Sequence, residues 1–241
     1  MHDTIRQWVV ESRQIVVLTG AGMSAESGVP TFRDAQTGLW AQFDPQQLAT
    51  ERAFRSHPQR VWDWYQMRRE MIRQVVPNAG HLALAAFARQ NPGRLTLITQ
   101  NVDGLHQQAG HPHTIALHGN LAEDRWLDAP NACCQPGELL EGRPPTCPVC
   151  GNRRRPAVVW FGENLPEEAL RAAEQAVQGC DLMLVVGTSG VVYPAAGLAL
   201  GAHQMGARVV VVNPEATELD RFATLCLRET AAQCLPTLFA L

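Results

Sequence analysis

The sequence predicts an α/β fold: a Rossmann-like, doubly wound parallel sheet that carries a smaller lobe. Five short apolar runs predict the sheet: Ile15–Leu18, Leu95–Ile98, Thr114–Leu117, Leu182–Val186 and Arg208–Val212. They are rich in Val, Ile and Leu, as strands buried on both faces are. Each run ends in a compact polar or glycine-bearing signature. Two irregular stretches, 35–76 and 119–155, interrupt the strand–helix alternation and supply the lobe. A chain of 241 residues is long enough for one full core and such an insert.

Thr4–Ser12 reads as a short amphipathic helix leading into the first strand. Residues 35–76, rich in Gln, Arg and Trp, read as two or three helices, the clearest being Gln59–Val75. Asn78–Arg89 reads as a helix on the sheet, stopped by Asn91-Pro92-Gly93. Residues 119–155 hold Pro130, Pro136, Pro144 and Pro145 with four cysteines, and show no periodicity. Pro166–Gln178 is helical, with Glu167 and Glu168 favourably placed in its first turn. Pro194–Met205 and Thr230–Leu241 are further helices. The expected partition is 1–34, 77–118 and 156–241 for the sheet domain, with 35–76 and 119–155 forming the small lobe.

Composition narrows the function classes. With 46% hydrophobic and 18% charged residues the usage is that of an ordinary globular domain. A net charge of −3 gives no footprint for nucleic acid or an anionic membrane. No apolar stretch reaches the length of a membrane span, and Met1–Arg6 does not read as a secretory signal, so the cytoplasm is expected. All 20 basic residues are arginine. Seven cysteines include Cys147-Pro148-Val149-Cys150, a metal or redox spacing rather than a disulfide framework.

Ligands of open α/β sheets sit outside the carboxyl ends of the strands, so polar groups at five such ends predict a nucleotide. Gly20-Ala21-Gly22-Met23-Ser24-Ala25 follows a strand as G-x-G-x-x-A. It is expected to open a helix whose N-terminus takes a pyrophosphate. A redox dinucleotide domain wants an acidic residue closing a second strand about 20 residues on. Here that region is Trp40–Pro45, which does not read as a strand. The turn continues instead as Ser27-Gly28-Val29-Pro30-Thr31-Phe32-Arg33-Asp34. A dinucleotide without hydride transfer is expected.

Six motifs in one order resemble those of the sirtuins, NAD-dependent protein-lysine deacylases. They are Gly20–Asp34 (G-A-G-x-S-x-x-S-G-x-P-x-F-R-D), Thr99–Asp103 (T-Q-N-x-D), Leu117–Asn120 (L-H-G-N), Val159–Glu163 (V-W-F-G-E), Gly187–Ser189 (G-T-S) and Val212–Glu215 (V-N-P-E). The resemblance implies a reaction in which the acyl-lysine amide oxygen attacks the ribose carbon bearing nicotinamide, and a base then deprotonates a ribose hydroxyl. His118 matches that base, and an imidazole suits proton transfer at neutral pH. A lone histidine is usually structural, and the other seven here, His106, His111 and His113 among them, take that reading. Asn101 and Asp103 match residues holding the nicotinamide ribose and carboxamide, and Gln100 a ribose contact; helix capping is the plainer reading of the first two. Gly20, Ala21, Gly22, Ser24, Phe32 and Arg33 match the phosphate-side NAD turn. Gly187, Thr188 and Ser189 match the adenine-ribose side, Asn213 and Glu215 the second ribose, and Ala231 a backbone contact to adenine.

Val159, Phe161, Gly162 and Val191 match the two edges between which an acyl-peptide lies as an added strand, though Val159-Trp160-Phe161 reads equally as core. Tyr65 and Arg68, three apart on the Gln59–Val75 helix, share a face. They match a Tyr-x-x-Arg pair of the class III, desuccinylase and demalonylase type, in which an acyl carboxylate is received by a guanidinium fork. The bland alternative puts Arg68 with Arg69 and Arg73 on a solvated face.

The family usually carries zinc on two C-x-x-C pairs. Cys147 and Cys150 form the second pair, but the first would begin at Trp126, and only the adjacent Cys133-Cys134 lies nearby. Zinc held by all four, zinc completed by another ligand, and a zinc-free lobe packed around Trp126 all remain open. The rival functions are a sirtuin-like protein ADP-ribosyltransferase and a noncatalytic NAD or ADP-ribose sensor.

Overall fold

Six parallel strands form the central sheet: β1 (Ile15–Thr19), β2 (Leu95–Thr99), β3 (Thr114–Ala116), β6 (Leu182–Val186), β7 (Arg208–Val212) and β8 (Leu225–Leu227). Between them β4 (Gly119–Trp126) and β5 (Arg154–Val158) pair antiparallel in a separate two-stranded sheet. The computed structural model describes residues 1–31, 44–134 and 140–240. All five expected strands are present. β8 escaped the sequence reading because three residues are too short to show a period.

The sheet order is β3-β2-β1-β6-β7-β8, so the chain reverses its direction of winding between β1 and β6. The register aligns Thr19 with Thr99 and Val186, Thr99 with Ala116, and Val186 with Val212. The carboxyl ends of these five strands are therefore level, and the crevice opens above β1 and β6.

The helices α1 (His2–Glu11), α5 (Ala79–Gln90) and α9 (Ala231–Phe239) cover one face of the sheet around Ile15, Leu97 and Leu184. On the other face α7 (Glu167–Gln178) and α8 (Gly197–Gln204) pack around Leu18, Met183 and Val211. Every residue of β1 and β6 is buried, which explains their unbroken apolar runs.

A third apolar cluster lies outside the sheet. It is built from α2 (Pro45–Leu48), α3 (Glu51–Ser56), α4 (Pro58–Arg73) and the β4–β5 pair, with Phe54, Trp62, Trp64, Tyr65 and Trp160 at its centre. The expected 35–76 helices are thus three among the described residues. β4 was illegible because its GNLAEDRW sequence does not alternate, and its register shifts between Asn120 and Asp124.

The expected helix after the glycine turn is a correction. Residues Ala21–Met23 and Ala25–Ser27 form two three-residue 3₁₀ turns instead. They close through Ser24 N–H to the Ala21 carbonyl (3.1 Å) and Gly28 N–H to the Ala25 carbonyl (2.9 Å). Gly28 then adopts φ +92°, a left-handed conformation that ends the helical path before Pro30.

Candidate active site

The turns after β1 and β6 meet at glycines. A Cβ on Gly22 would lie 2.7 Å from the Gly187 Cα, and one on Gly20 2.7 Å from the Thr188 Cβ. The Gly22 N–H donates to the Gly187 carbonyl at 2.8 Å. The glycines are thus required by backbone packing at the point where the winding reverses. Phe32 and Arg33 lie outside the described residues.

Asn101 and Asp103 follow β2 and turn back onto that junction. Asn101 Nδ2 donates to the Gly20 carbonyl (3.0 Å) and to Ser24 Oγ (3.2 Å), while Ser24 Oγ donates to Asp103 Oδ2 (2.7 Å). Asp103 Oδ1 accepts the Leu105 N–H at 2.9 Å at the start of α6 (Leu105–Gln108), but the N-cap position itself is Gly104, so the expected cap role is not the one Asp103 takes. Burial pushes the Asp103 carboxyl above its usual range, against these hydrogen bonds and Arg68. Beneath the network lies His81 Nε2, 3.4 Å from Ser24 Oγ. His81 is one of the seven histidines expected to be structural. Its signal was the sequence Asn78-x-x-His81, a capping box at the start of α5 that aims the ring at Ser24.

His118 stands just past β3. Its Nδ1 lies 2.9 Å from the Gln100 carbonyl, which can only accept, so Nδ1 carries the proton and Nε2 is left as the basic nitrogen. Burial lowers the His118 pKa, partly offset by that carbonyl, which keeps the ring neutral and ready to accept a proton at pH 7. Gln100 Nε2 reaches Thr188 Oγ1 at 3.1 Å and so ties the β2 end to the β6 end. Ser189 is exposed beside it.

After β7, Asn213 Nδ2 donates to the Glu215 carbonyl at 2.8 Å, closing the turn that presents Glu215 to solvent. Ala231, the first residue of α9, backs onto Gly80, where a Cβ would come 2.9 Å from the Ala231 carbonyl oxygen.

Arg68 is buried, so the solvated-face reading fails, whereas Arg73 is exposed and Arg69 binds Asp124. The Arg68 guanidinium lies 4.9 Å from the Trp64 ring centroid and 5.4 Å from that of Tyr65. It lines one cavity with Ala21, Val29, Pro30, Asn101 and Asp103. Burial pulls its pKa down, against the nearby Tyr65 and Asp103. Tyr65 belongs to the small-lobe core rather than that lining; its hydroxyl accepts the Trp160 indole N–H at 2.9 Å.

Phe161 and Val191 are both exposed, one after β5 and one after β6. Val159 N–H donates to the His118 carbonyl at 2.9 Å, so this edge begins at the expected base. Gly162, at φ +89°, turns the chain into Glu163.

Cys133, Cys134, Cys147 and Cys150 bring their sulfurs within 4.8 Å of one another. Tetrahedral zinc with thiolates at about 2.3 Å places its sulfurs roughly 3.8 Å apart, so the donor set fits. Cys147 and Cys150 form a knuckle, with Gly151 N–H bonded to the Cys147 carbonyl at 3.0 Å. The Asn152 N–H, chiefly, lowers the Cys150 pKa to about 6, while the hydrogen bond to Cys150, chiefly, raises that of Cys133 to about 12, as expected of thiols crowded into one cluster. Trp126 is half-buried under the Arg154 guanidinium and lies outside the apolar clusters, so it does not replace the cysteines as a lobe core.

The Sir2 family model matches residues 20–194. The chain is 56% identical over 235 residues to an NAD-dependent protein deacylase of Ralstonia nicotianae, covering 98% of this chain and 94% of that one. It is 52% identical to one of Mycolicibacterium paratuberculosis, covering 93% and 96%. Among solved structures, a Sir2 homolog–NAD complex superposes with TM-score 0.86 at 41% identity, covering 98% and 92% of the two chains. A Sir2–p53 peptide–NAD⁺ complex superposes at 0.83 with 34% identity, covering 98% and 95%. On the family match over residues 20–194 and on these identities, the chain belongs to the Sir2 family.

Proposed function

We propose that the protein is an NAD-dependent protein-lysine deacylase that prefers succinyl- and malonyl-lysine to acetyl-lysine. The reaction releases nicotinamide and 2′-O-acyl-ADP-ribose. The relatives' activity supports the reaction; Arg68 carries the acyl preference. A guanidinium held among Trp64, Tyr65, Asn101 and Asp103 meets a dicarboxylic acyl group with two parallel hydrogen bonds, which an acetyl group lacks the oxygens to accept.

NAD supplies an activated ribose carbon, which the acyl oxygen attacks as nicotinamide leaves. Gly20, Ala21, Gly22, Ser24, Phe32 and Arg33 would hold its phosphate side, and Gly187, Thr188, Ser189, Asn213, Glu215 and the Ala231 backbone its adenosine half. Gln100, Asn101 and Asp103 hold the nicotinamide ribose. His118 Nε2 takes the proton of a ribose hydroxyl, freeing that oxygen to bond to the acyl carbon; the lysine amine then leaves with a proton, and a water adds to the acyl carbon as its bond to the other ribose oxygen breaks, leaving the 2′-O-acyl ester. Val159, Phe161, Gly162 and Val191 bind the peptide main chain, giving affinity with little sequence preference. Cys133, Cys134, Cys147 and Cys150 hold a structural zinc. The cytoplasm is the proposed compartment; among the described residues no helix is long and apolar enough to cross a membrane.

The test is kcat/KM on succinyl-, malonyl- and acetyl-lysine peptides with and without NAD, for wild type and Arg68→Met. Losing the guanidinium strands the acyl carboxylate, a loss on the order of 2–5 kcal/mol for succinyl-peptide, whereas acetyl-peptide loses little. Equal losses on both substrates would assign Arg68 to the fold alone.

A further inference from the structure

No step of the reaction uses Glu26, yet its carboxylate joins two parts of the chain 206 positions apart. Glu26 lies in the second 3₁₀ turn, Ala25–Ser27, directly after the glycine turn, and its side chain is exposed. Its Oε2 accepts the Ala232 N–H at 2.8 Å. Ala232 is the second residue of α9, where backbone N–H groups have no partner within the helix. A carboxylate there satisfies one of them and meets the positive end of the helix dipole.

The head of α9 stands at the rim of the strand-end crevice. β8 pairs Leu227 with Val212, so its carboxyl end is level with the others, and the Asn213 N–H donates to the Leu227 carbonyl at 3.1 Å. Residues 228–230 then lead straight into α9. A second tie reaches the same helix head from the glycine turn. The Met23 carbonyl accepts from Asn78 Nδ2 at 2.8 Å, and Asn78 Oδ1 accepts the Gly80 N–H at 3.0 Å. Gly80 lies against the Ala231 carbonyl with no room for a Cβ, and Ala231 is buried there. The glycine turn, the head of α5 and the head of α9 thus close a ring of contacts, and Glu26 is the link that runs from the turn directly to α9.

We propose that Glu26 is a positioning residue for the adenosine half of NAD, its carboxylate holding the first turn of α9 at a fixed distance from the glycine turn. The pyrophosphate and adenine contacts are then spaced as one unit. This rests on the reading above that puts the NAD phosphates at residues 20–24 and adenine at the Ala231 backbone. Glu26 acts through the α9 backbone and not on the cofactor, because a carboxylate only accepts hydrogen bonds and repels a phosphate. The two effects have opposite signs: removing the charge alone would tighten binding, whereas losing the hydrogen bond to Ala232 loosens it.

The experiment measures AMP and nicotinamide mononucleotide as competitors of NAD, together with kcat and the KM for NAD, in wild type, Glu26→Ala, Glu26→Gln and Glu26→Asp. One hydrogen bond corresponds to about 3- to 10-fold. Glu26→Ala should lose that much AMP affinity and raise the NAD KM to match, with kcat and the mononucleotide within about twofold of wild type. The Gln amide oxygen still accepts the Ala232 N–H, so Glu26→Gln should stay within about twofold. The Asp carboxylate falls a methylene short, so Glu26→Asp should lose what Glu26→Ala loses although its charge is kept. A role confined to stability would lower the melting temperature of Glu26→Ala and leave both affinities unchanged. That result, equal losses of AMP and mononucleotide, tighter AMP binding, or a Gln variant as impaired as the Ala variant would overturn the proposal. Should Glu26→Ala fail to fold, the Gln and Asp variants decide it by the same affinities. Wild type that AMP does not inhibit would strike the adenine reading of Ala231 itself; wild-type inhibition that Glu26→Ala leaves unchanged strikes Glu26 alone.

Discussion

The central sheet and the lobe beside it are ordered by different means. β1 and β6 are buried at every position between two apolar clusters, and the residues beyond their ends inherit their placement from that packing. The lobe also has an apolar cluster, but it buries charge within it. Arg155, 1% exposed, pairs with Glu163, and four thiols converge a short way along the chain. Burial alone would raise the Glu163 pKa, yet Arg155 and the Trp160 N–H hold it below the usual range. Breaking such a pair by removing one member leaves an uncompensated buried charge, which is far costlier than the pair's own net worth. The strand-end turns therefore stand on apolar support, and the lobe adds polar closures to its apolar cluster. Single polar changes should disturb the lobe first.

The largest effect expected from this contrast lies in the cysteines. Purified protein should contain about one zinc per chain, and Cys147→Ser should lose it. Structural zinc supplies folding free energy on the order of 10 kcal/mol in small modules. Limited proteolysis of Cys147→Ser should cut within 119–155 while the sheet fragment persists. Wild-type protein with less than about a tenth of an equivalent of zinc would end the metal assignment; cutting spread evenly over the chain would end the contrast.

Next in size is the base. His118→Ala should lose roughly two to four orders of magnitude in 2′-O-acyl-ADP-ribose formation. NAD affinity should largely survive, since the base acts after nicotinamide departs and its ring is tied to the Gln100 carbonyl rather than to the glycine junction. Wild-type product formation by the variant would remove His118 from the chemistry. Product in which ADP-ribose is carried by a protein acceptor would favour the transferase rival.

The same contrast decides what could be read from the sequence. Leu182–Val186 and Arg208–Val212 are strands with the bounds expected, because a strand buried on both faces writes its burial into nearly every residue, Arg208 at the entry of the second being exposed. Their polar ends pointed to the site for the same reason. The lobe was less legible. The convergence of Cys133-Cys134 with Cys147 and Cys150 depends on the path of the chain between them, which no spacing records. Arg68 and Arg73 are the same residue type on one helix, yet one is buried and the other exposed. Trp160 read as core or as peptide edge; that its N–H meets Tyr65 across 95 positions is a fact of packing alone.

The smallest expected effect sharpens the comparison from the sheet side, through acid. His81, His106 and His111 are all buried beside β1 and β2, with the His81 and His106 rings 4.6 Å apart. Burial lowers all three pKa values, to about 4 for His81 and His111. The unfolded chain takes up these protons near pH 6.5, before the folded chain does, so it binds more protons between 6.5 and 4. Stability is therefore complete above about pH 6.5 and falls as the pH drops toward 4. Asp103, with its raised pKa, works in the opposite direction, but against these three and His118, whose pKa burial also lowers. The shift from 6.5 to about 4 sets a ceiling of about 3 kcal/mol on the share of His111. His111→Leu, which removes a titrating ring away from the strand-end crevice, should flatten the profile of urea midpoint against pH between 7 and 4.5 by that share. Chelation at pH 7.5 should leave this profile's shape intact while opening 119–155 to protease. A pH profile unchanged by His111→Leu would mean that acid, like chelation, acts first on the lobe.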